Sequence, residues 1–265
     1  MNTTSAGHRA VVNGLTLYYE LHGSPSDGPP VVLLHGGVGG IEMFGSNLPA
    51  LARNHRVIAV DLPGHGRSTD GDRPLRYETM ADDIATLLQQ LDVSRADVVG
   101  YSLGGGVALQ MTVRHPEMVR RLVVVSSPFK RTAFFPEILA IFDRMGSSDA
   151  AMMKQSPLAA MYPGKDWERL FEKMGDLQRQ DFDISREVAK FRAPTMLIFA
   201  DADTYRPEHI IEFYKLLGGG QRDAGWDASQ RSRNQLAIIP GSTHYNLLST
   251  TAVAELAERF LDADS

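Results

Sequence analysis

Val31–Leu34, Ala96–Gly100, Arg121–Val125 and Thr195–Phe199 are apolar at nearly every position rather than at every second one. A strand with one wet face alternates, whereas a strand buried on both faces does not. Runs of this kind mark a mostly parallel sheet covered by helices on both sides. Arg9–Val12 and Leu15–Leu21 add two strand candidates, joined at Asn13-Gly14, a pair suited to a tight hairpin. Arg56–Val60 and Gln235–Ile239 bring the expected strands to eight. Between them the apolar period is helical. Tyr77–Leu91 puts Met80, Ile84, Leu87, Leu88 and Leu91 on one stripe, and Ser102–Arg114, Pro207–Leu217 and Leu247–Leu261 complete the set.

From about residue 130 to 190 the alternation stops. That stretch holds amphipathic, methionine-bearing segments and no convincing strand. It predicts a helical cap inserted into a single α/β core, with residues 1–129 and 191–265 as the two parts of that core. Gly218–Arg233 is glycine-rich and polar and predicts a surface loop. A chain of 265 residues is large enough for one such unit.

Composition excludes several function classes. The formal net charge is −5, and no basic run interleaves with aromatics, so a nucleic-acid partner is not expected. With no cysteine there is no disulfide, thiolate metal site or cysteine nucleophile. No metal is expected. The first residues lack an apolar signal core, and no apolar run reaches the roughly 20 residues of a membrane span, so a soluble cytoplasmic protein is expected.

The segment VGYSLGGG, Val99–Gly106, lies between an expected strand and an expected helix. Its Gly100, Ser102 and Gly104 fit Gly-x-Ser-x-Gly. In a sharp strand-to-helix turn the chain crowds itself, so small residues are needed two before and two after the serine. Such a turn exposes the serine hydroxyl above the sheet and aims the Leu103 N–H, at the positive end of the helix, at a developing oxyanion. A glycine-rich turn with an incidental serine is the bland alternative.

Serine needs a base. Of eight histidines, His244 is best placed, in a polar loop just past the last expected strand. The carboxyl end of a parallel sheet is where sites gather. The base needs an acid to fix its tautomer. Asp201 and Asp203 both follow the strand Thr195–Phe199; Asp203 is the expected acid, and Asp201 is expected to support the turn. The strand Arg121–Val125 ends in Ser126-Ser127-Pro128 with no carboxylate. His35-Gly36-Gly37 follows another strand and makes Gly37 the expected second oxyanion donor. A phosphate loop is disfavoured there because the P-loop lysine and the dinucleotide spacing are missing.

Taken together, His35–Gly37 (HGG), Asp61–Ser68 (DLPGHGRS), Gly100–Gly105 (GYSLGG), Ala200–Asp203 (ADAD) and Gly241–His244 (GSTH) resemble the α/β-hydrolase superfamily, in its order and over nearly the whole chain. The resemblance implies an eight-stranded, mostly parallel sheet with a helical cap between the sixth and seventh strands. It also implies that Asp203 takes the family's acid position, with Ala200 standing where a glycine is usual. His65 is then structural. The implied reaction needs no cofactor: Ser102 attacks a carbonyl, His244 carries the proton, and water releases the acid. A serine at the elbow argues against halide and epoxide chemistry.

A small-molecule carboxylic ester with a largely apolar group is the expected substrate. Phe134, Phe135, Phe142 and the methionines of the cap can either pack it on the core or face the substrate. The alternatives are carbon–carbon hydrolysis of a ring-cleavage product, lactone or amide cleavage, perhydrolysis, and a hydrolase-like receptor. Relatives of the first kind often carry asparagine before the serine, where this chain has Tyr101.

Overall fold

The computed structural model describes residues 7–24 and 28–263. The strands are β1 (Gly7–Val12), β2 (Leu15–His22), β3 (Val31–Leu34), β4 (Val57–Val60), β5 (Ala96–Tyr101), β6 (Val119–Val125), β7 (Thr195–Ala202) and β8 (Gln235–Thr243). They form one sheet in the order β1-β2-β4-β3-β5-β6-β7-β8. β2 runs antiparallel to both β1 and β4, and every other neighbouring pair is parallel. Asn13 and Gly14 turn the first hairpin at φ 48° and 81°, the positive pair that a two-residue hairpin turn demands.

The apolar runs have a simple cause. Val32, Leu34, Val98, Leu122, Val124, Leu197 and Phe199 face one core, together with helices α2 (Tyr77–Gln90), α3 (Leu103–Arg114) and α9 (Pro207–Leu216). Their neighbours Val31, Leu33, Val99, Val123, Val125, Met196 and Ile198 face a second core, under α1 (Asn47–Leu51) and α10 (Ala252–Leu261). The central strands lie between two cores, so no position on them can be polar without cost.

Among the described residues, the segment between β6 and β7 is helical: α4 (Pro136–Arg144), α5 (Ala150–Met153), α6 (Pro157–Met161), α7 (Trp167–Gln178) and α8 (Ser185–Val188). α7 is tied to the loop after β4. Lys173 and Arg169 both reach Asp70, and Lys165 Nζ donates to the carbonyls of Gly64 and Ser68 at 2.9 and 3.2 Å.

Two expected elements are corrected. β8 runs on through Pro240 and Gly241 to Thr243, because a bulge in the β7–β8 ladder lets Ala202 pair with Thr243. The last helix starts at Ala252, not Leu247. Leu247 and Leu248 are buried against the second core as turn residues, which gave them the look of a first helical turn. Residues 218–233 form turns without strand or helix and expose Trp226 fully. No helix among the described residues is long and apolar enough to cross a membrane.

Candidate active site

Ser102 sits between the end of β5 and the first turn of α3, at φ 52° and ψ −114°. A serine held in this region is strained. The glycines around it explain why the turn forms. A Cβ on Gly100 would lie 2.2 Å from the Gly104 carbonyl oxygen, and one on Gly104 would lie 2.1 Å from the Leu34 carbonyl oxygen. The Ser102 N–H donates to the Val125 carbonyl at 2.9 Å, which ties the turn to β6.

The chain brings three of the expected residues together. Ser102 Oγ lies 3.1 Å from His244 Nε2, and His244 Nδ1 lies 3.1 Å from Asp203 Oδ1. His244 follows β8 directly; the Tyr101 hydroxyl holds its carbonyl at 2.6 Å, with the two rings 5.5 Å apart. The Asp203 side chain is buried and accepts from the N–H groups of Ala200 and Thr204 at 3.0 and 2.7 Å. Burial pushes its carboxyl upward. The hydrogen bond and charge of His244, the Ser126 hydroxyl and the Ala200 N–H outweigh burial and hold it below the usual carboxylate range. Asp201, two residues earlier, is exposed and accepts from the N–H groups of Gly241 and Ser242 at 2.9 and 3.0 Å. It braces the turn that delivers His244 and does not touch the imidazole.

Gly37 and Leu103 border the same cavity as Ser102. Among the described residues, neither backbone N–H has an acceptor. Two free N–H groups beside a nucleophile can hold an oxyanion. The loop carrying Gly37 is pinned by His35, which is fully buried. The Leu62 N–H donates to its Nε2 at 2.9 Å, so its Nδ1–H donates to the Gly36 carbonyl at 2.7 Å. Burial, then the neighbouring His65, push His35 down to about 3, so it stays neutral. His65 is also buried, 5.6 Å from the His35 ring and away from the cavity.

The cavity holds about 290 Å³. Phe134, Phe142, Met145 and Met174 line it from the inserted helices and their flanks, whereas Phe135 does not. The Met174 methyl lies 2.9 Å from where a Cβ on Gly37 would stand. Tyr245, largely exposed, stands at the mouth beside His244. Tyr77 and Gln178 also line the cavity, and their side chains have no hydrogen-bond partner among the described residues. Apart from His244, no lysine, arginine, histidine, aspartate or glutamate is among the described lining residues.

Sequence reasoning missed two residues of the cluster, Ser126 and Thr204, the latter with its hydroxyl 3.4 Å from both Asp203 Oδ1 and His244 Nδ1. Ser126, just after β6, places its hydroxyl against both Asp203 oxygens and His244 Nδ1. The sequence signal of Ser126 was a polar residue directly after the apolar run Leu122–Val125.

The profile of the alpha/beta hydrolase fold family matches residues 29–160. The chain is 31% identical over 217 residues to a putative carbamate hydrolase RutD of Caulobacter sp. strain K31, covering 71% of this chain and 78% of that protein. It is 35% identical over 130 residues to the 2-hydroxymuconate semialdehyde hydrolase of Pseudomonas sp. strain CF600, covering 48% of this chain and 45% of that protein. Carboxylesterase CesB (YbfK) of Bacillus subtilis superposes with a TM-score of 0.76 at 19% identity, covering 100% of this chain and 94% of that one. The chain therefore belongs to the α/β-hydrolase family, and its eight-stranded, mostly parallel sheet is that of the fold.

Proposed function

We propose that the protein hydrolyses neutral carboxylic esters of small to medium size through an acyl-enzyme, with Ser102 as nucleophile, His244 as base and Asp203 as acid. One observation carries the reading: a serine–imidazole pair at 3.1 Å opens into a cavity of about 290 Å³ whose described lining holds no charged side chain beside that imidazole.

Ser102 Oγ attacks the ester carbonyl carbon while its proton passes to His244 Nε2. The carbonyl oxygen gathers negative charge beside the N–H groups of Gly37 and Leu103. His244 returns the proton to the leaving alkoxide, and the C–O bond breaks. Water, deprotonated by the same nitrogen, then attacks the acyl carbon and releases the acid.

The relatives above are named for a carbamate, putatively, for 2-hydroxymuconate semialdehyde and for carboxylic esters, and this chain's lining supports a neutral ester over the semialdehyde. A muconate carries a carboxylate, which needs a cation or a polar cradle once water is excluded. The described lining holds no lysine or arginine, and its uncharged Tyr77 and Gln178 suit a neutral group better than a carboxylate. The cavity's volume lies just below the roughly 300–1,000 Å³ of small-molecule sites. That favours short acyl or alcohol groups over long chains.

The test is a p-nitrophenyl ester series of rising acyl length, with the anionic hemisuccinate ester alongside, run on wild type and Ser102→Ala. Turnover should need Ser102, peak at short to medium chains and be poor on the anionic ester. Equal rates in Ser102→Ala, or a preference for the carboxylated substrate, would overturn the reading.

A further inference from the structure

We propose that Ser126 is a positioning residue for His244, its hydroxyl bridging Asp203 and the imidazole so that the bare nitrogen faces Ser102. This rests on the serine-hydrolase reading above and adds a fourth member to its proton-handling chain.

The geometry forces the direction of each hydrogen bond. Ser126 Oγ lies 2.8 and 2.6 Å from the two oxygens of Asp203 and 2.7 Å from His244 Nδ1. An ionised carboxylate only accepts. The one hydroxyl hydrogen therefore goes to Asp203, and the oxygen turns a lone pair toward Nδ1. That nitrogen must then carry the hydrogen, which leaves Nε2 unprotonated at 3.1 Å from Ser102 Oγ. This is the tautomer a general base needs. The direct contact from Nδ1 to Asp203 is longer, at 3.1 Å, so the hydroxyl is the nearer acceptor.

The backbone is built to hold the hydroxyl there. Ser126 adopts φ 48°, a left-handed conformation uncommon for a serine, and is fully buried. Its N–H donates to the Ile198 carbonyl at 2.8 Å, and its carbonyl accepts from the Tyr205 hydroxyl at 3.2 Å. Strain kept at a buried position between an acid and a base points to a task for the side chain. When Ser102 gives its proton to Nε2, the positive charge that appears on the ring is met at Nδ1 by the hydroxyl oxygen and, behind it, the carboxylate. Ser126 keeps its own proton throughout and forms no covalent bond.

Two variants and two readouts test this. Ser126→Ala removes the hydroxyl and keeps the strain; Ser126→Gly removes both, so its fold is the safer of the two. The first readout is the rate at which a fluorophosphonate labels Ser102, with the oxygen–phosphorus bond forming and fluoride leaving. The second is nitrogen NMR of the His244 ring in mildly alkaline buffer, which reports the tautomer without needing any substrate. Both variants should label roughly ten- to a hundredfold more slowly, the loss seen when the partner that orients a metal-bound imidazole is removed. Both should also raise the share of the Nε2–H tautomer, because the Nδ1 hydrogen then keeps only the longer contacts to Asp203 at 3.1 Å and Thr204 at 3.4 Å. Wild-type labelling in Ser126→Gly, or an unchanged tautomer in either variant, would overturn the proposal. A wild type that the probe does not label would instead sink Ser102 as nucleophile and leave the tautomer to decide on Ser126.

Discussion

Asp201 and Asp203 are two residues apart, and their surroundings give them different work. Asp203 is buried beside the imidazole, while Asp201 is exposed and spends both oxygens on the turn before His244. Asp203→Asn should lower kcat by about 10⁴-fold, since an amide at this place supports the wrong tautomer. Asp201→Asn loses charge on two backbone contacts that water also reaches, and its kcat should stay within a few-fold of wild type. Steady-state kinetics on one ester decides between them; the reverse order would move the acid to Asp201. The place of Asp203 was legible in the sequence because it lies further into the loop than Asp201, which the structure puts inside β7. Ser126 was not legible in the same way. Its place beside the imidazole depends on a left-handed φ of 48°, and no residue type announces such an angle when the residue is not glycine.

At the level of elements, α7 stands over the elbow because charge ties it to the loop after β4. Lys173 Nζ lies 2.7 Å from Asp70 Oδ1 and also donates to the carbonyls of Gly71 and Arg73 at 2.8 Å each. Arg169 shares Asp70 and adds Asp72 at 3.0 Å. The same helix brings Met174 and Gln178 to the cavity, so its seating shapes that cavity. Asp70→Asn should cost about 1 kcal/mol once water's access to both partners is allowed for, or a Tm lower by about 2 °C for a chain of this size. It should also raise KM more than it lowers kcat, because Ser102 and His244 keep their places. A kcat loss with unchanged KM would show that α7 acts on the elbow itself. None of these ties was readable in advance, because Asp70 and Lys173 are about a hundred residues apart and charged residues in loops carry no pairing signal. The strands were readable because each central one supplies two cores. Pro240-Gly241 hid the end of β8 because the pair looks like a stop, and only the β7 partner shows that the ladder continues.

For the whole molecule, acid tolerance is limited by imidazoles that the fold buries uncharged. His209 packs its ring 4.4 Å from Phe129 and 6.0 Å from Phe213, and among the described residues neither of its nitrogens has a hydrogen-bond partner. Burial first, then the nearby Lys130 charge, push it down to about 3, against about 6.5 for a histidine in the unfolded chain. The unfolded state therefore binds the extra proton first. The stability tied to a neutral His209 is whole above about pH 6.5 and drains as pH falls toward 3, at up to about 1.4 kcal/mol per pH unit. His35 and His65, pushed down to about 3 and about 4, act in the same direction. His209 differs from them in having no bond to lose, so His209→Phe removes the proton demand and keeps an aromatic ring against Phe129. Urea unfolding midpoints measured at neutral pH and near pH 5 should fall less in His209→Phe than in wild type. Equal falls would mean that His209 stays accessible to protons in the folded state.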